Sequence, residues 1–359
     1  MSAAVRYAKT VDPIHTDGRD IDVDVGELVG EAAGQEASGE AGEHIQSMAQ
    51  PWRQLPEPKR TDPTYYDRPM LNKPIWEWAI PTYYYVGGLT GASLVLGAAA
   101  QAIDATANEE LIAHCHRIGF AGAALSGALL TYDLGRPERF LNMLRVFRPT
   151  SPMNIGAWIL TGTGAAATGA FLLRRRRGWL GRVGYACGYA AGVFGAALAT
   201  YTGVLISNTA IPLWQESRRV MPLLFGASAV TSVGSLFELW PENPKAHRIT
   251  KAFGLAGEVA DLSASVLVEQ QVSAVPRVAR PLRRGWSGFL WKAALGCTAI
   301  SLLAGTAPKQ TRNRQLASGI LGTVGSLLMR FGMERAGSVS ASDPRASFHL
   351  QRAKTSASA

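Results

Sequence analysis

Cysteine is scarce in this 359-residue chain: Cys115, Cys187 and Cys297 are the three, and no two form a C-x-x-C pair. Scattered in this way they cannot ligate an iron–sulfur cluster, and they read as small core residues. Histidine is equally thin. Of six histidines only His114 and His116 lie in or near an apolar segment. Being two apart, they point to different faces of one helix, and no other helix offers a partner, so a b-type haem is not expected. A glycine-rich phosphate loop is missing, and so is any cluster of histidines and carboxylates spaced to hold a metal. The first twenty residues, MSAAVRYAKTVDPIHTDGRD, have neither an apolar stretch nor a twin-arginine pair. No cleavable signal peptide is expected, and the first apolar span takes the role of insertion signal.

Charge is missing from long tracts as well. The overall balance, 47% hydrophobic and 18% charged with a mean hydropathy of +0.04, hides a strong segregation. From about Ile80 to Phe331 the chain is mostly Ala, Gly, Leu and Val, with its charges grouped in short clusters. A bilayer core takes about 20 apolar residues as a helix. Eight segments approach that length: 81–103, 111–132, 152–173, 183–206, 219–240, 249–272, 286–306 and 315–334. Segments 152–173 and 183–206 contain no charge. The sixth is the weakest, since it holds Glu258 and Asp261, and seven spans is the fallback count. Open strands are excluded by the cost of unpaired backbone groups in lipid. The expected fold is therefore an all-α integral membrane protein of about eight transmembrane helices. The 38 glycines and spacings such as Gly87-x-x-x-Gly91 suit close helix packing in lipid.

Around this core the chain has three other regions. Residues 1–50 are acidic and poor in large apolar side chains, and read as disordered. Residues 51–80 carry prolines and aromatics (Trp52, Tyr65, Tyr66, Trp76, Trp78). They read either as a segment lying on a partner or as an aromatic belt at the membrane surface. Residues 336–359 form a polar tail beyond the 81–335 transmembrane domain. The net charge of +9 sits in loops between apolar spans, which points to lipid head groups and against nucleic acid. Loop arginines nearly balance on the two sides, so the positive-inside rule leaves orientation open.

The densest run joins the second and third spans: DLGRPERFLNMLRVFRPTSPMNIGAW at 133–158, with Asp133, Arg136, Glu138 and Arg139 able to pair at the membrane surface and Ser151 placed to cap the next helix. This run resembles the signature of the polysulfide reductase NrfD family. YYDRPMLNKPIWEWAIPTYYYVGGLTGAS at 65–93, TYTGVLIS at 200–207 and LLMRFGMERAGSVSASDP at 327–344 extend the resemblance over about residues 63–350.

The resemblance implies two four-helix bundles without haem. It also implies a quinone site, menaquinone or ubiquinone, near one membrane surface. The partners it implies are an iron–sulfur subunit and a molybdopterin catalytic subunit in a cell-membrane complex of anaerobic respiration. Electrons would pass between the quinone pool and the iron–sulfur partner, and this chain would carry no cluster, haem or metal of its own. A tyrosine on the fourth helix, matched by Tyr201, and a polar residue on the first, where this sequence offers Tyr84, Tyr85 and Thr90, would hold the quinone.

Helix order supplies a separate argument. Spans alternate in direction, so Tyr84, Tyr85, Asp133, Arg136, Asn154, Trp158 and Tyr201 all fall on the side that holds the N-terminus. A polar, aromatic mouth at the end of an apolar slot is what a quinone head group needs. Glu258 and Asp261, three apart on one face of the sixth span, either relay protons or bond the second bundle internally. The competing reading is a transporter or proton channel that uses these two carboxylates.

Overall fold

The computed structural model describes residues 71–348, apart from 75, 77, 135–141 and 241–242. One compact unit comprises Pro69–Ser347; the other, residues 1–68 with 348–359, falls almost wholly outside the described residues. Outside them too lie the expected disordered segment 1–50, most of 51–80, Arg136 and the end of the polar tail.

Every regular element among the described residues is a helix. In order they are α1 (Ala79–Asp104), α2 (Glu109–Asp133), α3 (Pro152–Leu173), α4 (Trp179–Ser207), the short α5 (Pro212–Glu216), α6 (Met221–Leu239), α7 (Pro244–Ser273), the short α8 (Pro276–Arg283), α9 (Gly285–Thr306) and α10 (Arg312–Ala341). Six of them, α1, α3, α4, α6, α9 and α10, are long and apolar enough to cross a membrane. The chain is a multi-pass membrane protein. Helices α2 and α7 are long, with 25 and 30 residues, yet are not among the six. Each carries charge: Glu109, Glu110 and Arg117 in α2, and Lys251, Glu258 and Asp261 in α7.

Local chemistry sets the helix starts. Ser151 accepts a hydrogen bond from the Asn154 amide at 3.4 Å, with Pro152 at the first position of α3. Asn243 does the same for the Ala246 amide at 2.8 Å, ahead of Pro244 and α7. Gly178 and Gly285, with φ of 70° and 71°, make the turns into α4 and α9, where a side chain would strain the backbone. The last helix does not stop near position 334 but runs on to Ala341.

Helix α1 packs on α2 and α4, and α3 packs on the same two. Likewise α6 packs on α7 and α10, and α9 packs on those two. Contacts of α1 with α6 and α10, and of α4 with α6, join the two sets. Small residues let the backbones meet. A Cβ at Gly91 of α1 would strike the carbonyl oxygen of Gly195 and lie 2.8 Å from the Ala199 nitrogen of α4. Gly234 and Gly254 bring α6 and α7 together backbone to backbone in the same way. Gly91→Ala is expected to lower stability by about 1–3 kcal/mol, the usual cost of overpacking. Gly127→Ala is the control, since its Cβ meets nothing within 4 Å. Thermal unfolding in detergent measures both, and equal melting temperatures would contradict this packing.

One end of the helices gathers the contacts among Trp76, Tyr84, Pro152, Tyr201, Trp214 and Met333. The opposite end is tied by the Arg174–Glu109 ion pair, by Asn243 Nδ2 donating to Glu110 at 2.7 Å, and by Arg312 donating to the Glu238 and Leu239 carbonyls at 3.0 and 2.9 Å.

Candidate functional site

An aromatic cluster sits at the first of these ends. Trp214, wholly buried in α5, donates its indole N–H to the Met333 carbonyl of α10 at 3.0 Å. Gly337, one turn further along α10, leaves room for that indole: a Cβ there would overlap it. Trp76 stacks on Trp214 with ring centroids 5.7 Å apart, and meets Tyr84 edge-on at 6.4 Å. Tyr84 in turn lies edge-on to Phe225 of α6 at 5.9 Å. Such offset and edge-on arrangements are favourable for aromatic rings.

Tyr84 is 1% exposed, and its hydroxyl has no hydrogen-bond partner among the described residues. A buried phenol without a partner costs about 1–3 kcal/mol and calls for an explanation. Around it, within electrostatic reach, stand Tyr83, Tyr201, Asp133 and Glu334. The expected residues Tyr84, Tyr201 and Asp133 are thus brought to one place. Asp133 is the last residue of α2 and is exposed. Tyr201, also buried, donates its hydroxyl to the Pro152 carbonyl, and its ring fills the space left by Gly156.

The other expected residues are placed differently. Tyr85 turns toward α6 and α10, beside Ser232, Thr323 and Arg330. Asn154 spends its amide on its own loop. It donates to the Met143 and Val146 carbonyls at 2.6 and 3.0 Å and accepts from the Arg148 amide at 2.7 Å. Trp158 is 38% exposed and meets Phe147 edge-on at 6.1 Å.

Arg330 escaped the sequence reading. It is 1% exposed, with its guanidinium 4.0 Å over the Phe225 ring, and it donates to the Phe225 carbonyl at 2.7 Å. Gly88, one turn beyond Tyr84 on α1, makes room for it: a Cβ there would lie 3.1 Å from an Arg330 nitrogen. Nε and Nη1 of Arg330 find no partner among the described residues. Its electrostatic neighbours are Asp261, Tyr85 and Tyr84. The signal was an ionisable residue inside a membrane helix. The span expected at 315–334 already contains Arg330; the structure adds that the helix runs on to Ala341 and buries both Arg330 and Glu334.

Glu258 and Asp261 are buried on α7, at 4% and 3% exposure. Ser301 of α9 donates to one Glu258 oxygen, and the other oxygen has no partner among the described residues. A cavity of about 10 Å³, room for one water, lies between Glu258, Glu238, Lys251 and Ser318. A second of about 10 Å³ borders Asp261, Trp291 and Thr298. The polar groups Glu334, Arg330, Asp261, Glu258 and Glu238 therefore follow one another from the aromatic end toward the opposite end. No group of three or more metal-ligating side chains occurs among the described residues.

Residues 68–339 match the family described as polysulphide reductase, NrfD. The chain belongs to that family. No curated protein matches it. Membership in the NrfD family fits a membrane anchor of a redox complex, and the matched region contains all eight long helices almost in full.

Proposed function

We propose that this protein is the quinone-handling membrane subunit of a multi-subunit oxidoreductase, exchanging electrons between the quinone pool and an iron–sulfur partner subunit. The observation that carries the reading is the buried Tyr84 hydroxyl, without a partner among the described residues and set in an aromatic cluster where the two helix sets meet. An unspent donor beside flat aromatic walls fits a quinone ring and its carbonyl oxygens. A bound quinone supplies a carrier of two electrons and two protons.

In this reading all eight long helices cross the bilayer, and the two sets of four are the two four-helix bundles of the family. Tyr84 donates to a head-group oxygen. Tyr201, its own proton given to Pro152, offers lone pairs and fixes the wall of the site. Asp133 lies at the mouth; Arg136, which the family resemblance assigns to the same site, lies outside the described residues. Asn154 and Trp158 hold the loop that rims the site, and Tyr85 joins the site to Arg330. Glu258 and Asp261 exchange protons with the site by way of water in the two small cavities, with Arg330 keeping its own proton and supplying positive charge beside Asp261, since carboxylates kept in a membrane interior at such a cost are usually functional. Electrons leave or enter at the aromatic end, where the iron–sulfur subunit docks, with a molybdopterin subunit beyond it.

Purification from the native membrane in mild detergent tests this. An iron–sulfur subunit and extractable quinone are expected to accompany the chain. A monodisperse single polypeptide without either would overturn the reading.

A further inference from the structure

A groove of about 650 Å³ runs along α9 near its C-terminus and has no part in the aromatic site. Its wall is a stripe at helical spacing, Ile300, Leu303 and Ala304, with Ile300 54% and Leu303 70% exposed. The neighbouring face of the same helix looks inward, where Ser301 bonds Glu258 and Ser318. The groove therefore opens away from the protein. At its end stand two exposed cations, Lys309 in the turn and Arg314 at the start of α10.

Both cations keep donors to spare. Gln310, not Lys309, caps α9, donating to the Ala304, Gly305 and Ala307 carbonyls at 2.8–3.1 Å. Arg314 gives one nitrogen to the Lys309 carbonyl at 2.8 Å and keeps its remaining donors. No ion pair among the described residues includes either one. The nearby carboxylate Glu238 is surrounded instead by His247, Lys251 and Arg312.

Their depth in the membrane follows from the helix itself. At the other end of α9, Trp286 and Phe289 are exposed and stacked 5.2 Å apart, as in an interfacial aromatic belt. From Phe289 to Thr306 the helix rises about 26 Å at 1.5 Å per residue, close to the roughly 30 Å of a hydrocarbon core. Lys309 and Arg314 thus come to rest at head-group level, directly above an apolar trough within the acyl region.

We propose that this groove is a binding site for an anionic phospholipid, its phosphate held by Lys309 and Arg314 and one acyl chain lying along Ile300 and Leu303. Cations at the head-group boundary above an apolar channel complement this ligand in both charge and shape. A lone inorganic phosphate would leave the trough unused. The site is independent of the quinone reading and stands or falls separately.

The test uses the purified wild-type protein with the subunits that accompany it, in nanodiscs containing a photoactivatable phosphatidylglycerol. Cross-links are expected to concentrate in the 300–314 peptide, and the same probe on a phosphatidylcholine head group is expected to label it at least fivefold less. Lys309→Gln with Arg314→Gln is expected to abolish that preference, whereas Arg176→Gln with Arg177→Gln, on another basic turn, is expected to leave it intact. Equal labelling by both head groups, or labelling spread evenly over the basic turns, would overturn the proposal. So would displacement of the label by millimolar inorganic phosphate alone. The cross-linking result on the wild-type protein decides the matter even where the double variant fails to fold.

Discussion

Arg330→Leu is expected to destabilise the protein by about 1–3 kcal/mol, the usual cost of leaving a buried polar group without its partner. The cause is the carboxylate left behind. Asp261 is 3% exposed, and Arg330 is its leading electrostatic partner. Without the guanidinium, a buried acid loses its counter-charge inside a membrane-spanning structure, where ionised groups are costly. The Phe225 carbonyl also loses its donor. Asp261→Leu is expected to destabilise for the mirror-image reason, and the double leucine variant to be more stable than the sum of the two losses predicts, since neither charge then remains unpaired. Arg330→Lys falls between wild type and leucine, because a point charge cannot both stack on Phe225 and bond its carbonyl. Thermal unfolding of the four proteins in detergent gives the cycle. Strict additivity would show that the two groups do not interact.

Tyr84→Phe separates stability from ligand binding. The hydroxyl has no partner among the described residues, so removing it is expected to leave stability unchanged or to raise it by about 1 kcal/mol. The same change deletes the donor proposed for the quinone oxygen. Affinity for a quinone analogue is expected to fall about tenfold, equivalent to about 1.4 kcal/mol. Titration of analogue fluorescence quenching, set beside an unfolding curve, reads both quantities on one sample. Weaker binding without loss of stability supports the assignment. Unchanged binding would remove Tyr84 from the site, and a large loss of stability would mean that its hydroxyl has a structural partner.

Much of the helical framework is written in the local pattern. Helix α3 begins at Pro152 because Ser151 caps it and proline suits the first turn, both of which are readable from five residues. The uncharged runs within α3 and α4 announce membrane spans from composition alone. The family motifs are equally local, each a contiguous string. The end of α10 is not local in this sense. Glu334 and Arg335 stand at the expected end of the span, yet the helix continues to Ala341, packed against α5 and α6.

The candidate site divides along the same line. Residue types and helix order bring Tyr84, Tyr201 and Asp133 to one end of the helices. They do not distinguish Tyr84 from Tyr85, which are adjacent in sequence yet face different neighbours. Asn154 looked like a ligand donor, but its amide is spent within its own loop, because a side chain next to a capped helix start is within reach of the preceding carbonyls.

By itself, then, the sequence determined that this chain is a helical, multi-pass membrane protein of the NrfD family, because hydropathy, capping and contiguous motifs act over a few residues at a time. The tertiary structure alone decided which polar groups are buried and which remain without partners. Arg330 on α10, the Gly88 notch on α1, the Phe225 ring on α6 and Asp261 on α7 come from four helices far apart in the chain. Whether a charge or a hydroxyl is satisfied depends on what packs against it, and that is a property of the assembled helices.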